Sequence, residues 1–292
     1  EQEILHVLPQ YFRVDGQEFV KDSLGMFGVR LEAQVHIITG AIAAVQNIVK
    51  ACELAGVHVS DIVLEQLASA QAVLTPSEQE LGVGIVDIGG GTADFAVYKH
   101  GRIRYSKVFP IAGGHFTNDI AISLGIPIQQ AEEIKKKYAC VTDETFAQLP
   151  EKVLTIPLDY DGGMKTIDAY SLLEISRARA EEVFAFLHEE IVRNRLGALM
   201  PAGLVITGGG ALLRGLPSLV QEELGMPVRV GTPRAYAASE VPMALRSPIY
   251  ATAYGLLSCA LKPAHISLHP TVDTPLLTKV FMRMKSWIYD LI

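Results

Sequence analysis

The chain has 292 residues, 49% of them hydrophobic and 20% charged, enough to bury a full core and to form more than one domain. Its net charge of −7, with no extended Lys/Arg run, argues against a nucleic-acid partner. The three cysteines, Cys52, Cys140 and Cys259, form no CxxC pair, so neither a disulfide framework nor a zinc site is indicated, and no apolar run reaches the ~18 residues that span a bilayer.

Such cysteine usage fits a reducing cytoplasm. Residues 4–14 and 29–38 alternate apolar and polar side chains and read as strands, flanking a loop with Asp15-Gly16 and Gly25. Thr39-Gly40 opens an apolar-periodic helix over about 41–55, closed by Gly56. Val57 to Glu65 reads as a short strand leading into a helix over about 66–74, which Thr75-Pro76 stops. Residues 83–98, VGIVDIGGGTADFAVY, are an apolar run ending in Asp87, a turn of Gly89, Gly90, Gly91 and Thr92, then Asp94 and a second run. That is strand, glycine turn, strand, continued by a strand over 102–110. Helices are expected over 116–124, 128–138 and, with one apolar stripe through Leu172, Ile175, Val183, Phe186, Leu187 and Ile191, 172–196; residues 139–170 are mixed, with a turn at 159–163. A strand at 203–207, a turn at Gly208, Gly209 and Gly210, a helix at 216–224 and a strand at 227–230 make a βαβ unit, and a helix at 248–261 follows.

Consecutive glycines let backbone N–H groups converge on an anion, and an acid at the strand end suits a Mg²⁺-phosphate better than a bare phosphate. The turn at 89–92 lacks the Gly-Lys-Ser/Thr of a P-loop, and a strand follows where a dinucleotide fingerprint needs a helix. A glycine-rich hairpin without a ligand is the alternative. Gly208 to Gly210 let backbone approach a flat ring or ribose, or simply make a sharp strand-to-helix turn. Glu132 and Lys135 share a helix face, either as a surface ion pair or as a ribose-binding carboxylate with a lysine beside it.

The end of the chain changes character. Residues 262–275 hold three prolines and little periodicity, which marks a linker. In 276–292 the apolar side chains of Leu276, Leu277, Val280, Phe281, Met284, Trp287, Ile288 and Leu291 fall at spacings of three and four, with Lys279, Arg283, Ser286 and Asp290 opposite. Three basic residues and one acid give this tail +2, against −9 for the rest. Too short and too charged to span, it suits the membrane interface, with Trp287 at headgroup depth and Lys279 and Arg283 on anionic lipid. A helix docked on the core is the alternative.

Together these pieces resemble the actin, Hsp70 and sugar-kinase ATPase superfamily: VDIGGGTADFAVY its second phosphate motif, VITGGGALLRGLP its adenosine motif, Glu132-x-x-Lys135 its ribose-contacting pair. Within it the chain is most similar to the bacterial FtsA division family, through ILHVLPQYFRVDGQ, DSLGMFGVRLEAQVHIITG, LASAQAVLTPSEQELGVGIVDIGGGT, FTNDIAISLGIPIQQAEEIKKKYA and SPIYATAYGLL, in that order. The resemblance implies an α/β actin-like ATPase fold, two-lobed and ribonuclease-H-like, plus a C-terminal amphipathic helix. It would place the second half of an FtsA-specific subdomain at 1–38, part of the first lobe at 39–80 and 248–262, the second-lobe core at 81–113 and 198–247, an outer subdomain at 114–197, the linker at 263–275 and the membrane helix at 276–292.

The implied cofactors are ATP and Mg²⁺. Asp87 would act on the metal's water shell, Gly89, Gly90, Gly91 and Thr92, with Asp94 behind them, would hold β/γ-phosphate, and Gly208, Gly209 and Gly210 would back the adenine. Glu65, in EQLASA, falls near the acid that orients water in bacterial actins; a helix-terminal Glu favoured by the dipole is the alternative, and any hydrolysis is expected to be slow. Implied partners are the tail of FtsZ, further copies of the chain in filaments, downstream divisome proteins and the anionic cytoplasmic face of the plasma membrane at the septum, with no nucleic acid. The family's first phosphate hairpin has no counterpart here, so the chain is expected to be N-terminally incomplete, with the first part of the first lobe missing, and to bind ATP poorly. A pilus-assembly adaptor of PilM type and a kinase of the same superfamily are the competing readings; an Hsp70-like chaperone would need a β-rich substrate domain after residue 262.

Overall fold

In the computed structural model, which describes residues 2–20, 23–157, 163–235 and 240–261, the alternating segments at the start of the chain pair as an antiparallel sheet. β1 (Gln2–Val14), β2 (Gln17–Val20) and β3 (Leu31–Ala41) lie in the order β2-β1-β3. The β1–β2 connection is the two-residue Asp15-Gly16, with φ of 45° and 89°, the positive values a tight hairpin turn demands. Asp15 also accepts from the N–H groups of Val29 and Arg30 and so ties down the loop before β3.

The expected helix follows as α1 (Ile42–Leu54), but none of its residues is buried. Periodicity foretold the helix and not a partner for its apolar face. No strand forms over 57–64, where no neighbouring strand pairs with the segment. α2 (Glu65–Val73) is where expected within a residue, whereas Thr75-Pro76 does more than stop it: Thr75 caps a further helix, α3 (Pro76–Leu81). Thr75 Oγ1 accepts from the Glu78 N–H at 3.1 Å while the Glu78 carboxylate accepts from the Thr75 N–H at 2.8 Å, a reciprocal capping box.

Then comes the central sheet. β4 (Val83–Ile88), β5 (Ala93–Lys99) and β6 (Arg102–Phe109) form an antiparallel meander. After α4 (Gly113–Leu124), α5 (Ile128–Tyr138), α6 (Asp143–Ala147), the hairpin β7 (Val153–Pro157) and β8 (Met164–Asp168), and α7 (Ala169–Arg193), the chain adds β9 (Leu204–Thr207), α8 (Leu216–Leu224) and β10 (Val228–Val230). β9 and β10 run parallel to β4, giving the order β10-β9-β4-β5-β6. The inner strands β4, β5 and β9 are apolar at nearly every position because both faces are covered, whereas the edge strand β6 is largely polar. Val86, Ile88, Phe95, Val97, Leu204 and Ile206 face α7 and α8, while Val83, Ile85, Ala96, Tyr98 and Val205 face α2 and α9 (Ala251–Leu261). By this period of two, Asp87 and Asp94 fall on the α2–α9 side. A third cluster joins α4, α5, the β7–β8 hairpin and the start of α7. The α7 stripe runs through Leu172, Ser176, Ala180, Val183, Leu187 and Ile191; Phe186, expected on it, is 44% exposed. Among the described residues no helix is long and apolar enough to cross a membrane.

Glu78 also joins the helical layer to the sheet. It receives Arg229 of β10 through Nε at 2.7 Å and Nη2 at 2.8 Å, and Arg229 donates on to Val73 O at 3.0 Å. Burial pushes the Glu78 carboxyl up, but the bonds from Arg229 and Thr75 outweigh it and hold it at about 2. A depressed carboxyl stabilises fully above its ordinary 4.5, and the contribution is lost as pH falls from there towards 2. Because Arg229 is 36% exposed, solvent screening reduces the contribution to about 1 kcal/mol. Urea unfolding at mildly acidic and strongly acidic pH is expected to show that loss in the parent chain and not in Arg229→Met.

Candidate functional site

The glycine turn between β4 and β5 is held from beneath. Gly89 N–H donates to Thr92 O at 2.9 Å, and at the start of α4 the N–H groups of Gly113 and Gly114 donate to the carbonyls of Gly89 (3.0 Å) and Gly90 (2.7 Å). A Cβ on Gly113 or Gly114 would lie 3.0 or 2.9 Å from those oxygens, so this approach requires glycine. With the carbonyls turned to α4, the N–H groups of Gly90, Gly91 and Thr92 find no acceptor among the described residues, and Gly90 and Gly91 border open space. Such a row of free amides is an anion nest.

Two carboxylates flank it. Asp87 and Asp94 are cross-strand partners on β4 and β5, 2% and 4% exposed. Asp87 Oδ2 accepts from Ser69 Oγ of α2 and from Thr252 Oγ1 of α9, the latter at 2.9 Å; Asp94 Oδ1 accepts from Gln66 Nε2 at 2.7 Å. Burial pushes both carboxyls up, and each hydroxyl bond opposes it. Glu65, in the first turn of α2, lies nearby with Thr252 Oγ1 at 3.5 Å from Oε1. Burial and the neighbouring charges of Asp94 and Asp87 push its carboxyl up to about 7. The structure therefore brings Asp87, Asp94 and Glu65 together with hydroxyl and amide donors but, among the described residues, no side-chain cation, and Asp94 Oδ2 is buried without a hydrogen-bond partner among them. A site this short of positive charge fits a metal. Among the described residues no three His, Cys, Asp or Glu side chains could hold one by themselves. That suits Mg²⁺, which keeps most of its waters and takes only one or two protein oxygens.

Glu132 and Lys135 lie on α5 beside α4. They pair with each other at 2.7 Å, and Thr117 Oγ1 of α4 donates to the Glu132 carboxylate. Burial raises the Glu132 carboxyl, but the bonds from Lys135, Thr117 and Lys136 win and hold it at about 2. In the second glycine turn, Gly208 has φ of 81°, and a Cβ there would meet the Ile88 backbone at 2.6 and 2.8 Å and overlap Asp87 Oδ1. A Cβ on Gly210 would overlap the Ile88 side chain, whereas Gly209 has only Ile249 Cγ2, at 3.8 Å. So Gly208 and Gly210 seat the turn on β4, and Gly209 presents open backbone. The tail residues Leu277, Lys279, Val280, Phe281, Arg283, Met284, Trp287 and Ile288, and the linker, lie outside the described residues.

Comparison with known proteins places this chain in a family. The family model for cell division protein FtsA matches residues 84–255, and the model for the SHS2 domain inserted in FtsA matches residues 1–39. The cell division protein FtsA of Pseudomonas aeruginosa is 41% identical over 295 residues, covering 99% of this chain and 70% of that protein. The chain belongs to the FtsA family. Its role is therefore in cell division, and β1 to β3 occupy the stretch matched to the SHS2 insertion. Among solved structures, MreB5 of Spiroplasma citri bound to ADP aligns with a TM-score of 0.60 at 21% identity, over 75% of this chain and 65% of that one. A PilM–PilN type IV pilus biogenesis complex aligns at 0.63 and 20% identity, over 88% and 67%. These likenesses establish the actin-like fold and no more.

Sequence reasoning missed Ser69, Thr252, Gln66 and Thr117. Ser69 and Gln66, three apart on one helix face, were a detectable polar pair in a small-residue stretch. Thr252 and Thr117 gave no signal, because they reach the site only through the crossing of α9 with α2 and of α5 with α4.

Proposed function

We propose that this chain is the part of an FtsA-type protein that couples an actin-like nucleotide site to the membrane: a peripheral tether holding the FtsZ ring to the cytoplasmic face of the plasma membrane at the septum. The observation that carries this reading is that the match to the Pseudomonas protein runs through 99% of the chain, and so takes in most of the amphipathic stretch at 276–292. In the nucleotide site, the amides of Gly90, Gly91 and Thr92 would take β/γ-phosphate and Asp87 would bind the water shell of Mg²⁺, which supplies charge neutralisation of the phosphates. Asp94 supports the turn, Gly209 lies against the base, Glu132 faces the ribose and Glu65, with its raised carboxyl, orients water. The ADP-bound state of the related MreB fold supports a nucleotide there. ATP is an assembly cofactor in this reading, and turnover is slow. The outer unit built from α4 to α7 receives the FtsZ tail, and copies associate as filaments that multiply the grip of single tails on lipid.

Co-sedimentation with vesicles containing anionic lipid tests the tether. The full chain is expected to pellet with vesicles, a version ending at Lys262 to stay in the supernatant, and Trp287→Glu to lose most binding, because a charge then stands on the apolar stripe that meets lipid. Equal binding by all three would overturn the tether and leave an FtsA-family nucleotide module that does not reach lipid through 276–292.

A further inference from the structure

Lys135 faces inward, although it belongs to a run of three lysines on α5. Its side chain is 15% exposed, against 71% for Lys136. The ammonium donates to Gly113 O at 2.9 Å, to Thr117 Oγ1 at 2.7 Å and to Glu132 Oε2 at 2.7 Å. An ammonium has three donors, and these three acceptors use them all, so a ribose hydroxyl could be bound only by giving one up. Glu132 is placed differently: Oε1 meets only the exposed Lys136, at 3.1 Å, and a carboxylate has lone pairs to spare.

The residue that Lys135 grips is the one the glycine turn rests on. Gly113 donates its N–H to Gly89 O, and its neighbour Gly114 donates to Gly90 O. Ala112, at the N-cap of α4, has no capping side chain of its own, and His115 Nδ1 accepts only the Ala112 N–H, at 3.1 Å, leaving the Gly113 carbonyl to Lys135. Gly113 also lacks a side chain where Lys135 Nζ arrives, 3.7 Å from the Cβ it would carry. We propose that Lys135, with Thr117, is a positioning residue for the phosphate turn: it fixes the first turn of α4 and so aims the free amides of Gly90, Gly91 and Thr92 at a polyphosphate, leaving Glu132 alone to meet the ribose. This rests on the nucleotide reading of the site. The positive charge is balanced locally by Glu132, so the effect is one of geometry, and it separates the two residues that sequence pattern treats as a single ribose-binding pair.

The two roles predict different ligand dependence. Magnesium tripolyphosphate, which has no ribose, and adenosine, which has no phosphate, are titrated into the full chain and followed through the amide resonances of Gly90 and Gly91 and through thermal melting. Lys135→Met is expected to weaken tripolyphosphate at least tenfold, to leave adenosine unchanged and to speed hydrogen exchange at Gly113 and Gly114 in the ligand-free protein. Thr117→Val is expected to act the same way more weakly, and it decides the matter if Lys135→Met fails to fold; Lys135→Arg recovers part of the loss. Weakened adenosine binding with tripolyphosphate unchanged would overturn the inference and make Lys135 a ribose contact, with the nucleotide site intact. No response of Gly90 and Gly91 to tripolyphosphate in the parent chain would overturn the nucleotide reading itself, and the inference with it.

Discussion

Gly255→Ala is expected to lower stability by about 3 kcal/mol, the upper part of the range for overpacking a buried contact. α9 crosses α2 at this residue with no side chain between them: a Cβ on Gly255 would overlap the carbonyl carbon and oxygen of Ala68 and lie 3.0 Å from its Cα. Backbone atoms do not swing aside as a flexible side chain does, so relief requires the helices to separate. Separation would also uncover Val73, Ala70 and Ala251, all no more than 1% exposed. Thermal melting checks this against Gly197→Ala, where a Cβ meets nothing within 4 Å and the change is expected to be small. Equal melting temperatures for the two variants would show that the crossing is not so close.

The carboxylate cluster is expected to cost stability in the absence of a bound cation, and its removal should recover it. Glu65 has its carboxyl raised from 4.5 to about 7. A raised carboxyl is protonated on folding, so its favourable contribution is complete below 4.5 and is lost as pH climbs through 7. Glu65→Gln is therefore expected to match the parent chain at pH 4.5 and to exceed it by about 1–2 kcal/mol at pH 7.5, after allowance for partial solvent access. Asp87→Asn should shift stability in the same direction, since burial raises that carboxyl too, and should remove any Mg²⁺-dependent response to ATP. Denaturant unfolding at the two pH values checks the sign; a Glu65→Gln chain less stable than the parent at pH 7.5 would mean that the three acids do not repel one another as described.

Much of this was legible from spacing alone. The β4–β5 hairpin, the parallel β9-α8-β10 unit and the run of α4, α5 and α7 follow from runs, breaks and periods of two or near four, which are local. What stayed hidden depends on contacts between distant segments. α1 has a helical period, yet nothing in the period says that its apolar face stays exposed. Residues 57–64 have strand-like composition, but a strand exists only where another strand bonds to it. Thr75-Pro76 was read as a stop when the pair with Glu78 makes it also a start. The acids and glycines of the candidate site stand out because their residue types are unusual at strand ends; the residues that contact them, Ser69, Thr252 and Thr117, are ordinary ones brought there by helix crossings. The division into Glu132 outward and Lys135 inward required coordinates, since both occupy one helix face.

The hydroxyls of Ser69 and Thr252 converge on one oxygen of Asp87 from two different helices, at the crossing where Gly255 meets Ala68. α9 is described as far as Leu261, the last described residue before the proline-containing stretch at 262–275 and the amphipathic one at 276–292. Anything that changes the charge on Asp87 thus changes how strongly α9 is clamped to α2. If 276–292 is held in lipid as proposed, a pull on α9 that loosens this clamp would, by linkage, also change the affinity for a cation at Asp87. Under that tether reading, load and ligand would act on one joint, and a protomer under tension at the membrane would differ from a slack one in solution in what it holds in the cleft.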